Sequence, residues 1–151
     1  MMERSDFLAR LTDKDAVSAC AFADQIVRES QGSDCWYVYF DEAIALLAHK
    51  NSLVRNRAIE IISANARWDR TGKLDPVIGA FLAHVTDEKP ITARQCIKAL
   101  PEIGAAKPGL ISQIKATLEG ADLTGYRDSM QPLILKDIVA VLRQLNEKDW
   151  N

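Results

Sequence analysis

The apolar residues of this chain recur at helical spacing almost from end to end, and no other feature constrains its fold as strongly. They fall again and again three and four residues apart, while the strict alternation of a half-buried strand is absent. Trp36, Phe40, Ile44 and Leu47 form one such stripe, and Val54, Ala58, Ile61 and Ile62 form another. Punctuation cuts the pattern into eight predicted helices. The first four lie at about 3–11, 14–30, 35–49 and 52–67. The fifth starts at Asp75-Pro76 and the sixth at Pro90; the seventh runs from Pro108 to Gly120. The last starts at Ser129 or Pro132 and reaches about 146. Ser33 or Asp34 and Asn51 are capping types whose side chains can accept the free amides of a first turn. A proline in that turn sacrifices no hydrogen bond. Gly32 and Gly120 stop helices readily, and Pro101 is expected to kink the sixth near its end.

With 151 residues, one domain over 1–151 is the natural expectation, with a frayed tail at 147–151. Hydrophobic residues make up 48%, enough to bury a core and to argue against disorder. No apolar run approaches a membrane span, and the charged start MMERSDFLARL is unlike a secretory leader. Cys20, Cys35 and Cys96 have neither disulfide-framework nor metal-site spacing. Cys20 and Cys96 fall within apolar stripes, and Cys35 precedes a helix start. Reduced thiols point to the cytoplasm.

The even-numbered helices share a pattern. Val54-Arg55-Asn56-Arg57-Ala58-Ile59 aligns with Ile91-Thr92-Ala93-Arg94-Gln95-Cys96 at an offset of 37. That segment aligns with Leu133-Ile134-Leu135-Lys136-Asp137-Ile138 at an offset of 42. Each reads aliphatic, two variable residues, a base, one variable residue, then apolar. A period near 40 built of two helices marks HEAT or armadillo arrays, whose hairpins bury their apolar faces only by stacking. Asn51 to Ala58 resembles the start of a HEAT second helix, and Asp87 with Arg94 is a second copy. The resemblance covers about 36–146 and implies an all-α, short right-handed α-solenoid of about four HEAT-like hairpins. The stretches Ser52–Trp68 and Thr86–Lys98 are also similar to a family of small bacterial HEAT-like proteins sometimes labelled SufBD. That label implies iron–sulfur assembly, but no residue cluster here offers a cofactor site.

Arg57, Arg94 and Lys136 share one repeat position, and their place at the edge of the apolar stripe favours a structural, bridging role. Arg55, Arg67, Arg70, Lys73 and Lys98 are expected in solvent. With Trp68 they make up the candidate interaction surface, since an exposed tryptophan beside arginine can anchor an interface. Residues 43–100 carry 9 bases against 5 acids, whereas residues 1–42 carry 4 against 9. A basic middle suits an acidic protein or a phosphate backbone. His49 and His84 lack partners at metal-ligand spacing, and nucleotide, metalloprotease and serine-hydrolase motifs are absent.

These readings favour a non-enzymatic protein-binding or scaffold module without cofactor or membrane. Two alternatives stand beside it. Trp68-Asp69-Arg70 invites comparison with HEAT-like alkylpurine DNA glycosylases, in which nucleic acid would be the partner. The wide apolar face of the last helix suits an assembly factor or subunit, including a homodimer.

Overall fold

The computed structural model describes residues 1–149, and no strand occurs among them. Eight α-helices follow in order: α1 (Arg4–Leu11), α2 (Ala16–Ser30), α3 (Phe40–Ala45), α4 (Ser52–Asn65), α5 (Ile78–Leu82), α6 (Pro90–Ala106), α7 (Ile111–Glu119) and α8 (Gln131–Asp149). Turns of 3₁₀ helix extend several of them: Tyr37–Tyr39 and Leu46–Ala48 flank α3, Ala66–Trp68 follows α4, Asp75–Val77 and Ala83–Thr86 flank α5, and Pro108–Leu110 leads into α7. The expected starts at Asp75-Pro76, Pro90 and Pro108 are all present, and α6 continues through Pro101 to Ala106. Asp15 caps α2 through the amides of Val17 and Ser18, and Asn51 caps α4 through that of Leu53. The last helix extends to Asp149, beyond the expected frayed start at 147, while Trp150 and Asn151 lie outside the described residues.

Packing divides the chain into two compact units, Met1–Lys73 and one beginning at Leu74. The first is built on aromatic rings. Phe7, fully buried, stacks on Tyr39 at 4.4 Å and meets Phe22 edge-on at 6.1 Å. Trp36 closes the cluster against Phe22. The stripe of the third helix is therefore not the expected one. Trp36 and Ile44 are half-buried, while Tyr39, Phe40, Ala43, Leu46 and Leu47 are buried. A 3₁₀ turn advances 120° per residue instead of 100°, so winding Tyr37–Tyr39 tightly brings Tyr39 into the core. Cys20 also departs from expectation: it is exposed, one residue out of phase with buried Ala19, Phe22, Ala23 and Ile26.

The second unit is aliphatic. Ile97, Leu100, Ile103, Ile114, Ile134 and Leu145 are fully buried, with Phe81 as the buried ring. Helices α6 and α8 run in the same direction. Arg94 meets Asp137 near their starts, and Gly104 lies against Leu145 near their ends. Both pairs sit close to the expected offset of 42. A Cβ at Gly104 would come within 3.0 Å of Leu145 and 3.3 Å of Ile111, so glycine sets how closely the helices approach. In the first unit α2 and α4 likewise run together. Arg57 reaches the Leu11 carbonyl ahead of α2, and the Asn65 amide reaches Ser30 at its end. Each unit is thus two helical hairpins whose second helices lie parallel.

Burial also corrects the repeat register. Val54, Ala58 and Ile62 are buried, as are Thr92, Cys96 and Leu100, an offset of 38 instead of 37. Matching letters paired Val54 with Ile91, yet Val54 is 1% exposed and Ile91 is 69% exposed. Arg57 consequently does not share a position with Arg94. The offset of 42 between α6 and α8 holds, since Thr92, Cys96 and Ile103 correspond to buried Ile134, Ile138 and Leu145.

Candidate interaction surface

The bases of α4 face inward. Arg55, expected in solvent, is 5% exposed and donates to the carbonyls of His49 and Lys50 at 2.9 and 3.1 Å. Those carbonyls end the third helical segment, where acceptors are left free and a cation is favoured. Arg57 is also buried and donates to the Leu11 carbonyl at 2.9 Å, an analogous role at the end of α1. Arg57 thus bonds backbone at a helix end.

The loop after α4 gathers the other first-unit residues of the expected surface. Arg67 is exposed but tied to Gln31, through its carbonyl at 3.0 Å and its amide oxygen at 3.1 Å. The Trp68 indole donates to the Ser30 carbonyl at 2.8 Å and is half-buried. Asp69, 4% exposed, accepts the Lys73 amide at 2.9 Å and a bond from the Tyr37 hydroxyl. Burial, then the Asp69 carboxylate, push the Tyr37 hydroxyl above its ordinary pKa. Asp69 therefore staples the loop closed over the 3₁₀ turn before α3, and Gly72, with φ of 74°, turns it through the left-handed region. Arg70 is exposed, its guanidinium 6.0 Å from the Trp68 ring. Lys73 pairs with Asp41 at 3.0 Å, which raises its pKa. Trp68 and Asp69, central to the glycosylase comparison, thus spend their polar atoms inside the protein.

The bases in the first half of α6 and α8 lie toward the surface. Arg94 bonds Asp137 at 2.6 Å, Lys98 approaches the same carboxylate to 3.9 Å, and Lys136 is exposed. The Asp137 hydrogen bond raises the Arg94 pKa. On the same two helices Ile91 is 69% exposed and Leu133 is 41% exposed. The repeat motif gives both as its aliphatic position, and Leu133 was expected on the apolar face of the last helix; only the register of burial exposes them. That face of α8 is narrower than expected: Ile134, Ile138, Val141 and Leu145 are buried, but Leu135 and Val139 are exposed.

One constellation resembles catalytic machinery. His84 Nδ1 lies 2.7 Å from Asp87, and Cys96 is close enough for the Asp87 charge to act on it. Chemistry is blocked at the sulfur. Cys96 is fully buried, its thiol donates to the Phe81 carbonyl, and desolvation pushes its pKa far up. A nucleophile needs the opposite, an exposed and stabilised thiolate. Asp87 instead accepts the Lys89 amide in the turn before α6, and its carbonyl accepts the Tyr126 hydroxyl. Desolvation raises that hydroxyl to about 12. Cys35 is exposed, just ahead of the Tyr37–Tyr39 turn. No group of three metal-ligating side chains forms among the described residues. No helix among them is long and apolar enough to cross a membrane. An open groove of about 620 Å³ between α5 and α7 is lined by Gly79, Ala83, Thr86, Gln113, Ala116 and Asp122, among others. No family model, curated protein or solved structure matches the chain.

Proposed function

We propose that this protein is a non-enzymatic, cytoplasmic protein-binding module, built as a short right-handed α-solenoid of HEAT-like hairpins. The observation that carries the reading is the arrangement of α6 and α8. They lie parallel at an offset near 42, bury one stripe each, and leave aliphatic residues exposed on another side. Stacked hairpins of this kind present extended faces for partners, and exposed aliphatic residues among bases are a binding feature. Three free thiols agree with a reducing compartment. The test is recovery of the tagged full chain from native lysate, with identification of bound protein and nucleic acid. A recurrent protein, retained after nuclease treatment, is expected. Recurrent nucleic acid, lost with nuclease, would overturn the reading in favour of a DNA-acting one.

A second reading, a subunit of a homo-oligomer, draws on exposed Leu135 and Val139 of α8. Light scattering on a size-exclusion column decides it; a monomer at all concentrations would remove it.

A further inference from the structure

We infer that the N-terminal ends of α6 and α8 form a docking surface for an acidic peptide segment carrying a bulky aliphatic side chain. The inference rests on the protein-binding reading above and names the partner's chemistry. Two parallel helices present the same pair, an exposed aliphatic residue and, three positions on, a base: Ile91 with Arg94, and Leu133 with Lys136. Three residues is close to one helical turn, so each pair shares a face. The Arg94–Asp137 bond sets the two faces side by side, because Asp137 lies one turn after Leu133. A hollow of about 320 Å³ is lined by Ile91, Arg94, Gln95 and Lys98.

Charge selects the sign of the occupant. Arg94 and Lys98 share one carboxylate, so their positive charge is only partly offset, and Lys136 adds to it. Counting the adjacent Asp87, Glu88 and Lys89, bases outnumber acids four to three, and of these acids Asp87 is buried and bonded to His84. The aliphatic residues select its class. A phosphate backbone offers nothing apolar to cover Ile91 and Leu133, and setting charged phosphates on them would dehydrate the phosphates without return. A peptide with an aliphatic anchor covers both and places its carboxylates on the surrounding bases, the usual plan of an apolar centre with a polar rim.

The experiment is fluorescence anisotropy of the full chain with three probes. The first is a labelled peptide with a central pair of leucines flanked by glutamates; the second has glutamines instead, and the third is duplex DNA. Binding of the first, weakening as salt is raised, is expected, with far weaker binding of the second and third. Ile91→Ser and Lys136→Glu alter exposed side chains, so the fold is expected to persist, as checked by circular dichroism. Each is expected to weaken the first probe by about tenfold. Failure to bind it at low salt, equal binding of the glutamine probe, indifference to both variants, or stronger binding of DNA would each overturn the inference. If a lysate partner is still captured by both variants, the docking surface is wrong while the binding-module reading stands. If the wild-type chain captures no protein, the broader reading falls as well.

Discussion

Arginines in α4 and bases in α6 and α8 come from stretches that share one pattern of aliphatic, basic and apolar positions, yet they do opposite work. Arg55 and Arg57 are buried, and their guanidinium groups bind carbonyls at helix ends. Arg94 and Lys98 share one carboxylate at the surface, and Lys136 stands exposed on the helix that supplies it. The cores differ in the same sense: the first unit interlocks rings, and the second packs aliphatic side chains. A base in a helical repeat therefore takes its role from what the preceding turn presents. Where a helix end leaves free carbonyls within reach, the base is absorbed into stability. Where a neighbouring helix offers one carboxylate to two bases, positive charge is left for a partner.

The comparison is broken most severely by removing the ring at the centre of the first unit. Phe7→Ala deletes a fully buried side chain in contact with Phe22, Trp36 and Tyr39. A loss of about 3–5 kcal/mol is expected from urea unfolding. Binding of the acidic probe by the second unit tests the contrast at a concentration of urea that unfolds nothing. It should be retained if the units divide stability and binding as described. In the second unit the corresponding weak point is a missing side chain. Gly104→Leu would force atoms against Leu145 and Ile111, which would stand only 3.0 and 3.3 Å from the first carbon of any side chain placed there. A cost of about 3 kcal/mol is expected, since overpacking a close helix contact displaces backbone. The helix preference of leucine over glycine opposes it by about 1 kcal/mol.

Much of this was legible in the sequence. Prolines 76, 90 and 108, the Asn51 cap and Gly120 mark their boundaries because each acts on backbone within a turn of itself, independent of distant residues. Phase within helices was less legible. The 3₁₀ turn at Tyr37–Tyr39 exchanges Trp36 for Tyr39, and a regular 100° step cannot anticipate it. The repeat register slipped by one because residue letters match at an offset of 37 while inward faces match at 38. Arg55 was hidden for another reason: its partners are carbonyls, which every residue carries, so no side-chain pattern signals them. The outward pair Ile91 and Leu133 was present in the repeat motif, but its exposure depends on that same register.

Arg57 and Arg94 sharpen the contrast at the level of single bases. Arg57→Met keeps the buried stem and removes the charged donor, leaving the Leu11 carbonyl without this partner. A loss of about 2 kcal/mol is expected from urea unfolding, typical of a hydrogen bond to a charged group. Arg94→Gln removes a half-buried base, but Lys98 stays within 3.9 Å of the Asp137 carboxylate, so its effect on stability should be the smaller of the two. Its effect on the acidic probe should be the larger. Equal destabilisation by both substitutions would dissolve the distinction between the inward and outward bases.

The gentlest probe is pH, applied to one carboxylate in each unit. Glu29 accepts the Trp36 indole at 2.8 Å and the Gln25 amide at 3.1 Å, and these bonds, the indole first, hold its pKa below the ordinary 4.5. Asp122 is lowered from 3.8 by the Thr124 hydroxyl and amide. A carboxyl lowered in the folded state binds fewer protons there than in the unfolded chain, so it favours folding above the ordinary value. That contribution is lost as pH falls through the folded value. Glu29→Gln can still accept from the indole but cannot titrate. Wild type should therefore exceed it in stability by a constant margin at neutral pH, and the margin should close below about pH 4.5. Asp122→Asn should behave alike from about pH 3.8 downward, with a smaller margin because Asp122 holds a turn within its own loop. Glu29 ties α2 to Trp36 across a seven-residue separation, so its margin reports on the aromatic cluster itself. A margin that widens in acid would show that Glu29 is strained in the folded state, and would remove the indole bond from the interactions that hold the first unit together.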